Sequence, residues 1–174
     1  ETTMKMMKKL MAVALAGVMA LTLLAGCGNP YALTEKELLN ALTDLSPITL
    51  GSNKVTLKAA DNTDAAAVMQ ALDGKDLENR DFYLETAADW QAVLNIKENE
   101  CVGIAYEKVT EIKSETLNKM QNLMYASDLL DSVKRVTSAV LEDGAEATVS
   151  VKIGKIGDAE YIVMVLRTSD TIIY

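Results

Sequence analysis

The sequence predicts an α+β domain, a mostly antiparallel sheet of hairpins packed by helices, and three observations predict it. Two segments alternate apolar and polar residues across turn residues: "ITLGSNKVTLKA" at 48–59, and "EATVSVKI" with "EYIVMVLRT" on either side of Gly154–Asp158. Between and before them, apolar residues recur at helical spacing behind recognisable caps. The chain has 174 residues, 24 % charged and 49 % hydrophobic, which suits one globular unit.

The elements follow in chain order. Thr34 with Glu37 forms a capping box, and Leu38, Leu39 and Leu42 supply an apolar face, so a helix is expected over roughly 35–43. Ser46-Pro47 ends it. A hairpin should then pair Ile48–Leu50 with Val55–Leu57 around Gly51-Ser52-Asn53. In "DNTDAAAVMQALDG", Asn62 or Thr63 caps a helix presenting Ala66, Met69, Ala71 and Leu72, which Gly74 closes. The charged "KDLENRD" reads as a loop, "FYL" at 82–84 as a short strand, and Thr86 as the cap of a helix holding Trp90, Val93 and Leu94.

After the polar loop "NIKENE", the run "CVGIAYEKV" reads as a buried strand with a bulge at Gly103. Ser114 opens a long helical region with Leu117, Met120 and Met124 on one face. Leu130, Val133, Val136, Val140 and Leu141 continue it. The phase slips near Ala126-Ser127-Asp128, which predicts a kink or two helices with Ser127 as the second cap. Gly144 ends the region. In the final hairpin "IVMVL" is continuously apolar, so that strand should be central and buried on both faces. The terminal "TIIY" reads as an edge strand or as the point where a longer chain stops.

The N-terminal segment has a different logic. Lys5, Lys8 and Lys9 precede an apolar run from Leu10 to Leu24 in which only Thr22 is polar. As a helix those residues would span roughly 22 Å, short of a hydrocarbon core of about 30 Å. A basic start, an apolar stretch and small residues after it form the pattern of a secretory signal. Leu24-Ala25-Gly26-Cys27 resembles the lipobox of bacterial lipoprotein precursors: leucine, two small residues, then cysteine. The resemblance covers about the first 27 residues. It implies a diacylglyceryl group on Cys27 and cleavage between Gly26 and Cys27. The competing reading is a plain transmembrane anchor with an incidental cysteine.

Residues 1–26 are therefore expected to be a signal peptide, with Glu1-Thr2-Thr3 as extra residues before Met4. Residues 27–33 would be the lipidated cysteine and a short tether, and 34–174 the globular domain. From Cys27 to Thr34 the tether reaches at most about 25 Å, which would keep the domain close to the membrane.

Composition narrows the chemistry. There is no histidine, which removes His-containing triads and the commonest neutral-pH base and zinc ligand. Three of the 17 basic residues and one of the 25 acidic ones lie in residues 1–26, so 27–174 carries 14 against 24, a net of −10. A body this acidic repels nucleic acid. With Cys27 lipidated, Cys101 has no partner for an internal disulfide, and its apolar neighbours point to a core thiol.

No catalytic motif emerges. "KIGKIGD" lacks the spacing of a phosphate-binding loop. Asp61, Asn62 and Asp64 superficially resemble a calcium loop, but Ala66 and Leu72 stand where its glycine and bidentate glutamate belong. Glu98, Glu100 and Glu107 flank a strand as candidate acid/base groups or as a solvated face. Tyr83 and Trp90 are candidates for a ligand surface, and Tyr125 is open to ligand or core. No cofactor or metal is expected. The sequence-based expectation is a lipid-anchored binding or interaction module of the cell envelope, contacting the membrane through Cys27 and envelope proteins through its surface. The alternatives are a histidine-free carboxylate or metal enzyme, or a structural envelope component.

Overall fold

Alternating strands and amphipathic helices assemble, in a computed structural model, around one mixed sheet. The structure describes residues 33–50, 53–110, 115–136 and 144–168. The signal segment, Cys27, the Gly51-Ser52 turn, Ser114, Val140, Leu141 and the terminal "TIIY" lie outside these residues. The strands are β1 (Ile48–Leu50), β2 (Asn53–Ala59), β3 (Cys101–Lys108), β4 (Ala145–Ile156) and β5 (Ala159–Thr168). Their spatial order is β1-β2-β4-β5-β3. Three of the four pairings are antiparallel, and β2 runs parallel to β4 with Val55 opposite Ala145. The fold is α+β, as the residue pattern predicts.

The first helix, α1 (Glu35–Asp44), starts where Thr34 caps it: the Thr34 hydroxyl accepts the Glu37 N–H at 3.1 Å. The first hairpin forms, but two residues out of the expected register: Ile48–Leu50 pairs with 53–55, not 55–57, with Ile48 opposite Val55 and Leu50 opposite Asn53, because only residues 51 and 52 separate the paired ends. Helix α2 (Thr63–Leu72) is launched by Asp61, whose carboxylate accepts the Thr63 N–H at 3.0 Å. Asn62, in the cap position, instead donates its amide to Glu35 Oε2 across the molecule.

Strands β4 and β5 are the centre, and Val149, Val151 and 162–164 are fully buried. Alternation divides their side chains between two layers. On one face Val149, Val151, Ile162, Met164 and Leu166 pack against Leu38 and Leu42 of α1, and against Tyr125, Ala126, Leu129, Leu130 and Val133 of α4 (Glu115–Val136). On the other, Tyr161, Val163 and Val165 meet Ala65, Val68, Met69 and Leu72 of α2, with Leu94 of α3 (Trp90–Leu94). An edge-to-face series, Phe82 to Tyr106 to Tyr161, closes that second layer.

Several expectations are corrected. Phe82 and Tyr83 are not strand, and Leu84–Thr86 is a single 3₁₀ turn, because this segment has no neighbouring strand to pair with. Thr86 sits inside that turn. Asp89 caps α3 by accepting the Ala92 N–H at 3.2 Å. Gly103 is no bulge: β3 pairs with β5 without interruption from Cys101 to Lys108. Its glycine answers a close approach instead, since a Cβ there would lie 2.6 Å from Val133 Cγ1. Strand β3 is a half-buried edge rather than a buried strand.

Helix α4 runs unbroken through Ala126-Ser127-Asp128, so Ser127 caps nothing. The slip in its pattern has another cause. Met120 and Met124 are not core residues, and the buried face is Gln121, Asn122, Tyr125, Ala126, Leu129, Leu130 and Val133. The last turn is tighter than "GKIGD" suggests: Gly154–Ile156 belong to β4, and Gly157, at φ 62°, makes the reversal with Asp158. Gly144, at φ 84°, donates its N–H to the Lys54 carbonyl where β4 begins.

Candidate functional site

The sheet has a well-defined upper end, where β4 and β3 finish and β5 begins. Lys108, Tyr161 and Gly154 lie level there across three strands. Helix α1 starts at this end, because Glu35 Oε1 accepts the Ile153 N–H at 3.0 Å from a strand position beyond the reach of β2. Lys152 Nζ lies 3.5 Å from the same oxygen. Helix α4 is fixed at this end too. The Tyr125 hydroxyl accepts the Thr110 N–H at 2.8 Å and lies 3.2 Å from Thr110 Oγ1, while Gln121 Nε2 donates to the Thr110 carbonyl at 3.2 Å. Tyr125 is thus a buried anchor and not part of an open ligand surface.

Those contacts turn one side of α4 inward and leave the other facing solvent. Met120, Leu123 and Met124 are 56 %, 48 % and 58 % exposed. They occupy positions i, i+3 and i+4, a single face of the helix. Three of the five exposed large apolar side chains among the described residues are therefore in this ridge; Leu45 and Tyr83 stand elsewhere. The spacing of Met120 and Met124 was visible in the sequence, but the same spacing describes a core face. Only the tertiary anchors through Gln121 and Tyr125 decide which way it points.

The aromatic residues nominated from sequence differ in exposure. Tyr83 is 63 % exposed, whereas Trp90 packs against the second core layer and donates its indole N–H to the Leu84 carbonyl at 2.6 Å. Trp90 thereby ties the 3₁₀ turn to α3. Cys101 is half-buried beside the first core, and burial pushes its thiol pKa up, the opposite of an activated nucleophile. Gly26 and Cys27 lie outside the described residues.

Two of the nominated acids, Asp64 and Glu100, meet on Arg167. Glu100 is held low, first by the Lys97 N–H at 2.9 Å and then by Arg167. Glu107 is pushed up, first by burial and then by the negative charge of Asp128. Asp64 is engaged by an arginine. It takes both Nε and Nη2 of Arg167 at 3.0 and 3.2 Å, while Arg167 also reaches Glu100 at 2.9 Å and the Leu94 carbonyl at 2.6 Å. This four-contact arginine is not apparent from the sequence, where it is one basic residue ending an apolar strand. Among the described residues no group of three or more His, Cys, Asp or Glu side chains could hold a metal ion.

A polar cleft of about 640 Å³ also opens at the upper end, between the loop after α2 and the β4–β5 turn. Lys75, Asp76, Glu78, Lys108 and Glu160 line it, and a Lys108–Glu78 ion pair spans it. Asp158 adds a fourth acid against the two lysines, so the lining is net negative.

Comparison with known proteins finds no matching family model, no similar curated protein and no similar solved structure. No helix among the described residues is long and apolar enough to cross a membrane.

Proposed function

We propose that this chain is an extracytoplasmic, lipid-anchored binding or interaction module of a bacterial cell envelope. The observation that carries the reading is the register of Leu24-Ala25-Gly26-Cys27 behind a 15-residue apolar run and three lysines. Small residues before the cysteine leave an extended backbone open to a peptidase at the membrane surface, and the thiol is the nucleophile for lipid transfer. The domain's organisation supports it. The first helix is capped at Thr34 and pinned by Glu35, so ordered packing starts within a few residues of the anchor.

A histidine-free carboxylate enzyme has one observation in its favour, the raised Glu107 beside Asp128. That pair joins β3 to α4 and does not line the polar cleft. Binding is therefore the better reading.

Expression of the full chain with Cys27→Ser tests the anchor. The variant should accumulate as an uncut, unlipidated precursor by intact-mass measurement of the membrane fraction. A membrane-bound product of mature size from that variant would overturn the reading.

A further inference from the structure

We infer that the Met120–Leu123–Met124 ridge of α4 is a second membrane contact, which seats the domain against the electrically neutral lipid surface to which its N-terminus is tethered. The inference rests on the lipid-anchor reading above and adds to it an orientation and a lipid class.

Three features of the molecule carry it. First, the ridge is apolar, contiguous and turned away from the sheet, although Tyr125 and Gln121 beneath it are firmly anchored. Second, the ridge and the tether share one end of one layer. Glu35 is bonded to Ile153, and Gln121 and Tyr125 are bonded to Thr110, just past the end of β3. Helices α1 and α4 pack side by side against the same sheet face, and both begin at this end. Packed helices lie about 8–10 Å apart, axis to axis.

Third, Leu33 stands six positions after Cys27, a reach of at most about 21 Å. A lipidated Cys27 therefore keeps the start of α1 within about that distance of the bilayer surface, and α4 packs beside α1. Three partly exposed side chains are too few to recruit a free protein. A tether changes this, because the second contact becomes intramolecular and its effective concentration rises to about the millimolar range.

The chemistry selects the occupant. The ridge offers on the order of 300 Å² per copy, so two copies face to face fall below the roughly 1,000 Å² that a specific protein interface buries. A bilayer imposes no such minimum: side chains of this kind enter the headgroup and upper acyl region singly. The net charge of −10 over residues 27–174 opposes anionic headgroups, so the favoured surface is zwitterionic.

The test uses the full, processed chain with Cys101→Ala, carrying either Met124→Cys or, at the opposite end of the sheet, Lys54→Cys. Each thiol takes an environment-sensitive fluorophore. The protein is reconstituted into phosphatidylcholine vesicles containing a fraction of spin-labelled lipid, and intact mass reports lipidation of Cys27 independently. Quenching at position 124 should exceed that at 54 by about tenfold, and phosphatidylglycerol vesicles at low salt should reduce it. Leu123→Cys should match Met124→Cys, and unchanged near-ultraviolet circular dichroism shows that each variant is folded. Equal weak quenching at 124 and 54 on a lipidated chain overturns the inference and leaves the anchor standing. A probe shielded from water yet unquenched by lipid, with crosslinking between copies, assigns the ridge to a second chain and also overturns it. An unmodified Cys27 removes the anchor reading, and the inference with it.

Discussion

The two faces of the sheet are covered by different means. Beneath α1 and α4 the contact is aliphatic and extensive: Leu38, Leu42, Leu129 and Leu130 lie on Val149, Val151, Met164 and Leu166, all at or near zero exposure. Beneath α2 and α3 the covering pieces are short, and point contacts hold them in place. The Ala65 N–H at the start of α2 donates to the buried Ser150 hydroxyl at 3.1 Å. Arg167 gathers Asp64, Glu100 and the Leu94 carbonyl, and Trp90 fastens the 3₁₀ turn. The five-residue α3 buries too little area to fix its own position, so polar side chains supply positional information on this face. The lipid-facing role proposed for α4 belongs to the face that is held by area. Its outer surface carries the exposed Met120, Leu123 and Met124.

The comparison breaks first at Leu129. It is fully buried in the layer between α4 and the sheet. Leu129→Ala should cost about 2–5 kcal/mol in urea unfolding, the range for removing a buried leucine side chain. A loss of a few tenths would mean that area is not what secures this face.

The second face should yield to the loss of charge geometry with volume preserved. Arg167→Met keeps the aliphatic stem and removes four polar contacts, leaving Asp64, Glu100 and the Leu94 carbonyl to find water. The expected cost is about 2–3 kcal/mol, less than a fully buried pair because all three side chains retain some exposure. Adding Asp64→Asn and Glu100→Gln to Arg167→Met should recover part of that loss, since uncompensated charge is then removed. No recovery would show that packing of the stem, and not the ion network, is what positions α2 and α3.

How much of this was legible in the sequence depended on how local its cause was. Thr34 with Glu37, the existence of the β1–β2 hairpin, the helix before Gly74 and the doubly buried β5 all follow from neighbours within a few residues, and all appear, although the hairpin's register is two residues from the one expected. What failed depended on distant partners. "FYL" has strand-forming residues but no strand beside it. Gly103 makes room for Val133, thirty residues away, which no local pattern encodes. Asp89 displaced Thr86 as a cap because α3 is shorter than its apolar spacing implied. The ridge on α4 is the most instructive miss: Met120 and Met124 are correctly spaced for one face, and spacing alone does not say which face the core will take.

The smallest expected effect sharpens the comparison from within the first face, at its one electrostatically unfavourable position. Burial, and after it the nearby Asp128, raise the pKa of Glu107 above that of an ordinary glutamate. The folded chain therefore holds this proton to higher pH than the unfolded chain does. Between the unfolded and the folded pKa the native state binds more protons, so stability falls as pH rises through that window. Below the unfolded value both states are protonated and the penalty vanishes. Above the folded value both are ionised, and the full penalty remains. Glu107→Gln should accordingly raise the urea midpoint slightly at neutral pH and leave it unchanged well below the ordinary glutamate range. The reverse pattern, a gain only in acid, would mean that the ionised carboxylate is stabilised where it sits. The α4 face would then contain a further polar anchor beside those of Tyr125 and Gln121 on Thr110, and the contrast between the two faces would narrow at that point.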